Sequence, residues 1–331
     1  MNRVQAALRR YAAVLICIWL VLGAGGVIYS RFLSIPVGIA IPLLFALLVE
    51  ISLYFAPAFR EFRETLAARY SAPRIAAGLV VGAVVPYLIY SLPTGQFRVS
   101  AITGIVLLAT VAAGWYLAMP HKPASDFAFL AFLAGIVLWK VFPDLYPSPA
   151  PRIRIDILGQ LMWIRTGVGA MLILRRIEGT GFGFVPLRGD WGIGLRHYVY
   201  FLPVGIPLAL GTGLVRFRPV PLEWWKVTPL AAATFFGMLW VVALSEEFFF
   251  RGVLQHQLSR LLANETAAVL IASVLFGLAH LPFRQFPNWR FALVATIAGC
   301  FYGRAFSRAG SIRAAMVTHA LVNTTTRMLF V

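Results

Sequence analysis

The chain has 331 residues, of which 60% are hydrophobic and only 12% are charged, with a mean hydropathy of +0.82. These values exclude a soluble globular protein, because a soluble protein of this length needs a charged surface that this sequence lacks, and they indicate a polytopic membrane protein. The formal net charge is +17. The basic residues lie between apolar runs, as membrane anchors and headgroup contacts do, so we expect the lipid bilayer rather than nucleic acid as their partner.

Apolar runs that could span a bilayer recur along the whole chain. The candidates are 11–29, 33–55, 72–92, 99–119, 126–142, 157–174, 197–215, 228–250, 266–282, 291–306 and 314–330. Several are short for a span, so the expected fold is an all-α transmembrane bundle with about 8–11 membrane helices. The first run follows a basic segment and precedes no clear cleavage site, which favours an uncleaved first helix over a signal peptide.

Two of the early apolar runs each contain a charged residue. Glu50 is an isolated carboxyl group in 33–55, and the sequence allows it to be protonated, paired across helices or placed near the interface. Arg165 lies at the centre of 157–174, which predicts either an interfacial helix or a helix that faces a polar cavity.

The distribution of charge and glycine predicts a topology and a boundary. With a cytoplasmic N-terminus, more Lys and Arg residues fall on the cytoplasmic side than on the other, so we expect a multi-pass protein with that orientation. The compact chain is more typical of a bacterial protein, so the expected membrane is the bacterial inner (plasma) membrane. The stretch 177–196 is rich in Gly and polar residues. It predicts a boundary between an N-terminal transmembrane bundle of unknown role, 1–190, and a C-terminal unit, 191–331.

Three polar clusters interrupt the apolar runs of the last hundred residues. They are Glu246-Glu247-x-x-x-Arg251, Phe276-x-x-x-His280 and His319-x-x-x-Asn323. Carboxylates at membrane depth cost several kcal/mol unless something pairs with them or uses them. Glu247 and Arg251 are four residues apart and are predicted to form an intrahelical ion pair. Glu246 is rotated from Glu247 by about 100° and lacks that partner, so it is the candidate general base.

Helix lengths predict that the clusters approach one another. Asn264 is a natural turn residue, and the arms from Glu246 to Asn264 and from Asn264 to His280 are about 27 and 24 Å long in helical geometry. An antiparallel hairpin would therefore return His280 to nearly the level of Glu246. A second turn in the segment 307–311 could bring His319 and Asn323, which share one helix face, alongside.

The three clusters, in this order, resemble the motifs of the CAAX prenyl endopeptidase family and its bacterial relatives, the CAAX-protease and bacteriocin-processing group. The resemblance covers about 225–331. It implies an intramembrane endopeptidase in which Glu246 activates the attacking water with help from His280. His319 and Asn323 would then stabilise the oxyanion of the tetrahedral intermediate.

The resemblance also implies supporting residues. Arg251 and Glu247 would hold the helix, and Phe276 would pack beside His280. None of these three side chains is expected to take part in bond breaking.

Zinc is the alternative basis for the chemistry. Glu246, His280 and His319 could form a three-ligand catalytic zinc site. However, the sequence has no His-Glu-x-x-His pair, and a metal-bound Glu246 would leave the base role to Glu247, which is matched to Arg251. We therefore favour a glutamate mechanism without a cofactor.

Two other classes of function stay open. A transporter or channel could use midplane acids and histidines to relay protons or bind a cation, and a silent scaffold or immunity protein could retain the fold. The confinement of the polar clusters to one third of the chain argues against transport, and the retention of every motif residue argues against a silent protein. The expected substrate is a membrane-associated peptide or protein, whose identity the sequence does not indicate.

Overall fold

The computed structural model describes residues 3–150, 153–218 and 223–331. Within these ranges the chain is helical, with an isolated antiparallel bridge between Phe217 and Phe330 and no β-strand. If segments that continue without a break are joined, the described ranges hold thirteen helices: α1 (Arg3–Phe32), α2 (Val37–Ala58), α3 (Arg60–Arg69), α4 (Ala72–Ser91), α5 (Val99–Ala118), α6 (Pro123–Leu138), α7 (Val141–Leu145), α8 (Asp156–Leu174), α9 (Arg188–Gly211), α10 (Trp225–Leu262), α11 (Glu265–Leu278), α12 (Trp289–Ala309) and α13 (Ile312–Leu329). The expected all-α bundle is confirmed.

Many of these helices are suited to a bilayer. Among the described residues, seven helices are long and apolar enough to cross a membrane by length and composition, namely α1, α2, α4, α5, α8, α9 and α10. Helices α6 and α11 are apolar but shorter. The protein is an integral, multi-pass membrane protein.

The start of α9 differs from the sequence expectation. The candidate span 197–215 begins well inside this helix, which starts at Arg188 and so takes up the second half of the glycine-rich stretch. The Asp190 carboxylate explains the early start, because it accepts a hydrogen bond from the Leu187 amide at 2.8 Å and forms an ion pair with Arg313 at 3.0 Å. A carboxylate in the first turn satisfies amides that have no partner within the helix.

The chain divides into two compact units between Ile177 and Glu178, at the start of the stretch 177–196. In the first unit, α8 is the central helix, with 83% of its most apolar window buried. It packs against α2, α4 and α5.

The charged residues of α2 and α8 meet inside the first unit. Arg165 Nε and one of its terminal nitrogens donate to the two Glu50 carboxylate oxygens at 2.8 and 3.1 Å, and both side chains are buried. The same terminal nitrogen of Arg165 donates to the Gly82 carbonyl at 3.0 Å. Of the readings left open by the sequence, Glu50 is therefore paired across helices, and Arg165 faces the interior of the bundle.

The second unit contains α9 to α13. Helix α12 packs against α9, α11 and α13, and α10 packs against α11 and α13. The turn predicted at Asn264 is confirmed, since its side chain caps α11 by accepting from the Ala267 amide at 3.0 Å. The turn between α12 and α13 falls at Gly310, in a left-handed conformation (φ 61°) that favours glycine, and Ser311 caps α13.

Candidate active site

The two adjacent glutamates lie in an unusual part of α10. The short α-helical segment Leu244–Glu247 is flanked by two π-helical segments, Met238–Ala243 and Phe248–Gln255. Widened turns of this kind occur frequently at functional sites, because each one re-aims the side chains that follow it. The sequence predicted a regular helix here, and the spacing of apolar residues gave no sign of the widening.

Glu247 is fully buried and has two partners. Arg251 lies on the same helix face with its Nε 3.3 Å from one carboxylate oxygen, and a terminal nitrogen donates to the other oxygen at 3.3 Å. That second oxygen also accepts from Nδ1 of His319 at 2.7 Å. The predicted intrahelical ion pair is present, and it extends to α13.

Arg251 is buried as well, and α12 completes its surroundings. One terminal nitrogen donates to the Gly299 carbonyl at 3.1 Å, and the guanidinium lies 4.5 Å from the centre of the Phe276 ring. A side chain at position 299 would crowd this arginine, since an added Cβ would lie 3.1 Å from its terminal nitrogen. Glycine at this position therefore allows α12 to approach the ion pair closely.

Glu246 has no arginine partner. Its side chain is 29% exposed, and one carboxylate oxygen lies 3.8 Å from Nε2 of His319. That oxygen is buried and has no hydrogen-bond partner within the described part of the chain. Glu247 also has one buried oxygen without a hydrogen bond, but that oxygen lies 3.3 Å from Nε of Arg251. The two neighbouring carboxyl groups thus differ in environment, because Glu247 is paired with a cation and Glu246 lies beside an imidazole instead.

His319 joins the two glutamates. Because a carboxylate only accepts hydrogen bonds, Nδ1 of His319 is the donor to Glu247, and Nε2 is the ring atom that faces Glu246. The Tyr302 ring stacks on the imidazole with centroids 4.5 Å apart and planes 13° apart. Sequence reasoning missed both Tyr302 and the Glu247–His319 bond. No spacing rule links residues 72 positions apart, and Tyr302 belongs to none of the three motifs.

His280 lies just after the C-terminal end of α11. Its Nδ1 donates to the Phe276 carbonyl at 2.7 Å, which leaves Nε2 as the unprotonated atom of the neutral ring. The Phe276 ring contacts both His280 and His319, with centroid distances of 4.6 and 5.8 Å. Within the described residues, no hydrogen bond or ion pair joins His280 to either glutamate.

Asn323 follows His319 by one turn of α13. Its side-chain amide is partly buried and makes a long contact of 3.8 Å from Nδ2 to the sulfur of Met238. A thioether is a weak acceptor, so this amide keeps donor capacity. Of the four predicted catalytic residues, the structure therefore brings Glu246 and His319 face to face, links His280 to them through Phe276, and places Asn323 one turn away.

The arrangement of donor groups does not match a zinc site. Across the ranges that the structure describes, no three His, Cys, Asp or Glu side chains come together in a way that could hold a metal ion. Of the set that would have formed such a site, Glu246 and His319 lie 3.8 Å apart, while His280 contacts the Phe276 ring, which also contacts His319.

One protein family matches part of the chain. Residues 228–325 match the family described as type II CAAX prenyl endopeptidase, Rce1-like. No curated protein and no solved structure matches the chain. The matched segment contains all three polar clusters and covers less than a third of the chain. Over this segment, and not over the rest of the chain, the sequence is similar to the Rce1-like CAAX endopeptidases.

Proposed function

We propose that this protein is an intramembrane endopeptidase that hydrolyses a peptide bond of a membrane-associated protein or peptide with a water molecule activated by Glu246. One observation carries the proposal. Each of the two adjacent glutamates keeps one buried oxygen without a hydrogen-bond partner among the described residues, but that of Glu247 lies 3.3 Å from Nε of Arg251. The corresponding oxygen of Glu246 has no arginine beside it and lies 3.8 Å from Nε2 of His319.

Glu246 is the general base. It takes a proton from water while the water oxygen attacks the carbonyl carbon of the peptide bond. The partial exposure of its side chain gives water a route to the carboxylate. The neutral form of His280, with its lone pair on Nε2, assists in orienting this water.

His319 and Asn323 stabilise the oxyanion of the tetrahedral intermediate. Asn323 supplies N–H donors, and protonated His319 supplies a donor from Nε2 because Glu247 already holds Nδ1. Fixed donors that point to the developing negative charge are typically the largest contribution to acyl-transfer catalysis. When the C–N bond breaks, protonated Glu246 returns its proton to the leaving amine.

Arg251, Glu247 and Phe276 act as supports in this scheme. Arg251 fixes Glu247, Glu247 fixes the His319 ring, and Phe276 contacts both imidazoles. The proposed mechanism uses no cofactor. The lack of a three-donor group among the described residues supports this choice over the zinc alternative.

The location of the protein is part of the proposal. A bacterial inner membrane with a cytoplasmic N-terminus agrees with the excess of basic residues on that side. Reporter proteins fused before α1 and after α13 test the orientation, since the first fusion should be active only as a cytoplasmic reporter.

The direct test compares a substitution that removes the charge of Glu246 with the same substitution at an exposed glutamate. Cells that produce Glu246→Gln should accumulate uncut membrane peptides that the wild type clips, and the purified variant in vesicles should cleave them about 10²–10⁴-fold more slowly. Glu265→Gln, at an exposed position on α11, should retain wild-type rates.

Two results would overturn the proposal. Wild-type cleavage by Glu246→Gln at equal protein level would remove the general-base role. Substrate-driven proton or cation flux into liposomes, with no cleaved peptide, would assign the acids and histidines to transport instead.

A further inference from the structure

A cavity of about 290 Å³ in the second unit lies outside the site described above. Its walls are His197 and Tyr200 of α9 and Phe301, Arg304 and Arg308 of α12. None of these five residues belongs to the three motifs or contacts the two glutamates within the described residues.

The cavity lies between α9 and α12, which run antiparallel. The rings of Phe201 and Phe301 pack near the middle of the two helices with centroids 5.7 Å apart, and a Cβ added at Gly213, just after α9, would lie 3.5 Å from a terminal nitrogen of Arg290, at the start of α12. Arg304 and Arg308 are four residues apart and share one face of α12. Both arginines therefore line the same cavity as His197 and Tyr200.

The charges on this face are unbalanced. Arg304 and Arg308 are exposed, and in the described part of the chain neither forms an ion pair with an acid. Like charges four residues apart on a helix repel each other. A cavity with two adjacent cations and no carboxylate in its wall is complementary to an anion.

Two further groups suit a phosphate. Nδ1 of His197 donates to the Ile193 carbonyl at 2.9 Å, which leaves Nε2 for another partner. The exposed Tyr200 adds a phenolic hydroxyl. Guanidinium groups hold phosphate oxygens with two parallel hydrogen bonds, which makes paired arginines effective phosphate ligands.

The position along α9 indicates where the anion comes from. Helix α9 is long and apolar enough to span a bilayer, and its N-terminal part carries the exposed Arg188 and Arg196. Basic and aromatic residues at the end of a span lie at the level of the lipid headgroups. We propose that this cavity binds the phosphate of an anionic phospholipid headgroup.

Lipid retention by the purified full-length chain tests the proposal. Native mass spectrometry in detergent with added phosphatidylglycerol or phosphatidylcholine should show preferential binding of the anionic lipid. Arg304→Gln/Arg308→Gln should weaken that preference about tenfold or more, because each variant residue loses a charge-assisted hydrogen bond.

A matched control removes the same charge elsewhere. Arg216→Gln/Arg218→Gln changes two exposed arginines outside the cavity and should bind phosphatidylglycerol like the wild type. An equal loss in both double variants, or equal binding of the two lipids by the wild type, would overturn the proposal by assigning the effect to overall charge or to the acyl chains.

Two further experiments test whether the variants still fold and whether the bound phosphate belongs to a lipid. Arg304→Lys/Arg308→Lys keeps the charge and the helix, and it should bind better than the glutamine variant and worse than the wild type, because lysine is a point charge. Lipid binding by the lysine variant that is equal to that of the glutamine variant would contradict recognition by charge.

Inorganic phosphate at millimolar concentration should not displace the lipid from the wild type. Full displacement would show that a soluble phosphate, not a headgroup, is the ligand.

Discussion

Both units bury a glutamate against an arginine, but they balance the charges differently. In the N-terminal unit, Glu50 and Arg165 form a one-to-one pair that is closed by the Gly82 carbonyl. In the C-terminal unit, Arg251 pairs with only one of two adjacent glutamates, Glu247, and His319 lies close to both.

The difference separates a charge that holds the fold from a charge that is free to react. The Glu50–Arg165 pair joins α2 to α8 and leaves no carboxylate oxygen unsatisfied within the described residues. In contrast, the Glu247–Arg251 pair is local to one turn of α10, so the link to α13 is left to His319. Glu246 is the carboxyl group without an arginine partner, and an ionisable group at membrane depth that serves no structural pair is typical of functional sites.

Removal of the arginine from either buried pair should have the largest effect on stability. Arg165→Met and Arg251→Met should each cost about 3–5 kcal/mol, because each leaves a buried carboxylate without its cation. Denaturant unfolding in detergent measures the loss, with Arg74→Met, at an exposed position on α4, as the matched control. Cleavage should survive in the folded fraction of Arg165→Met and disappear in Arg251→Met. An Arg165→Met protein as stable as the control would show that the first pair does not hold the fold.

Replacement of both members of a pair by apolar residues should restore stability in both units but activity in only one. Glu50→Leu/Arg165→Met should recover to within about 1–2 kcal/mol of the wild type, since apolar residues of similar size often replace a buried ion pair without loss. Glu247→Leu/Arg251→Met should also fold but should not cleave, because Nδ1 of His319 loses its acceptor. Activity in this second double variant would remove Glu247 from the positioning of His319.

The parts of the site that follow from local rules could be predicted from the sequence. The spacing of Glu247 and Arg251 is a property of any helix, and Asn264 caps α11 through its own side chain and the third amide along the chain. The apolar runs predicted the helices for the same reason, because backbone groups in lipid must be satisfied within the segment.

The other features of the site depend on long-range packing of helices and could not be predicted. Glu247 meets His319 across 72 positions, and Glu50 meets Arg165 across 115 positions, so each pair depends on how helices are arranged rather than on spacing. The π-helical segments around Glu246 shift the backbone hydrogen bonds by one residue, a change that the packing of α10 selects and that composition does not encode. The catalytic roles of Glu246, His280, His319 and Asn323, and the role of 1–190, stay predictions.

A smaller effect is expected from the ring that holds His319. Tyr302→Leu removes a stacked aromatic contact worth roughly 0.5–1.5 kcal/mol, so the rate should fall a few-fold through kcat, with KM unchanged. Tyr302→Phe keeps the ring and should behave like the wild type. A fall in KM or kcat of equal size in both variants would point to the hydroxyl group instead of the stack.

The smallest expected effect is that of metal removal. Because the Phe276 ring contacts both imidazoles and no three-donor set forms around Glu246 in the described residues, dialysis against a strong chelator should leave the cleavage rate unchanged. Added zinc should not raise the rate, and the zinc content of the purified, active protein should lie far below one ion per chain. The same treatment of a known zinc peptidase checks that the chelator works.

If activity falls on chelation and returns with about one zinc per chain, the unpaired oxygen of Glu246 is a metal ligand. The contrast with the Glu50–Arg165 pair would then be one between a paired carboxylate and a metal-binding carboxylate.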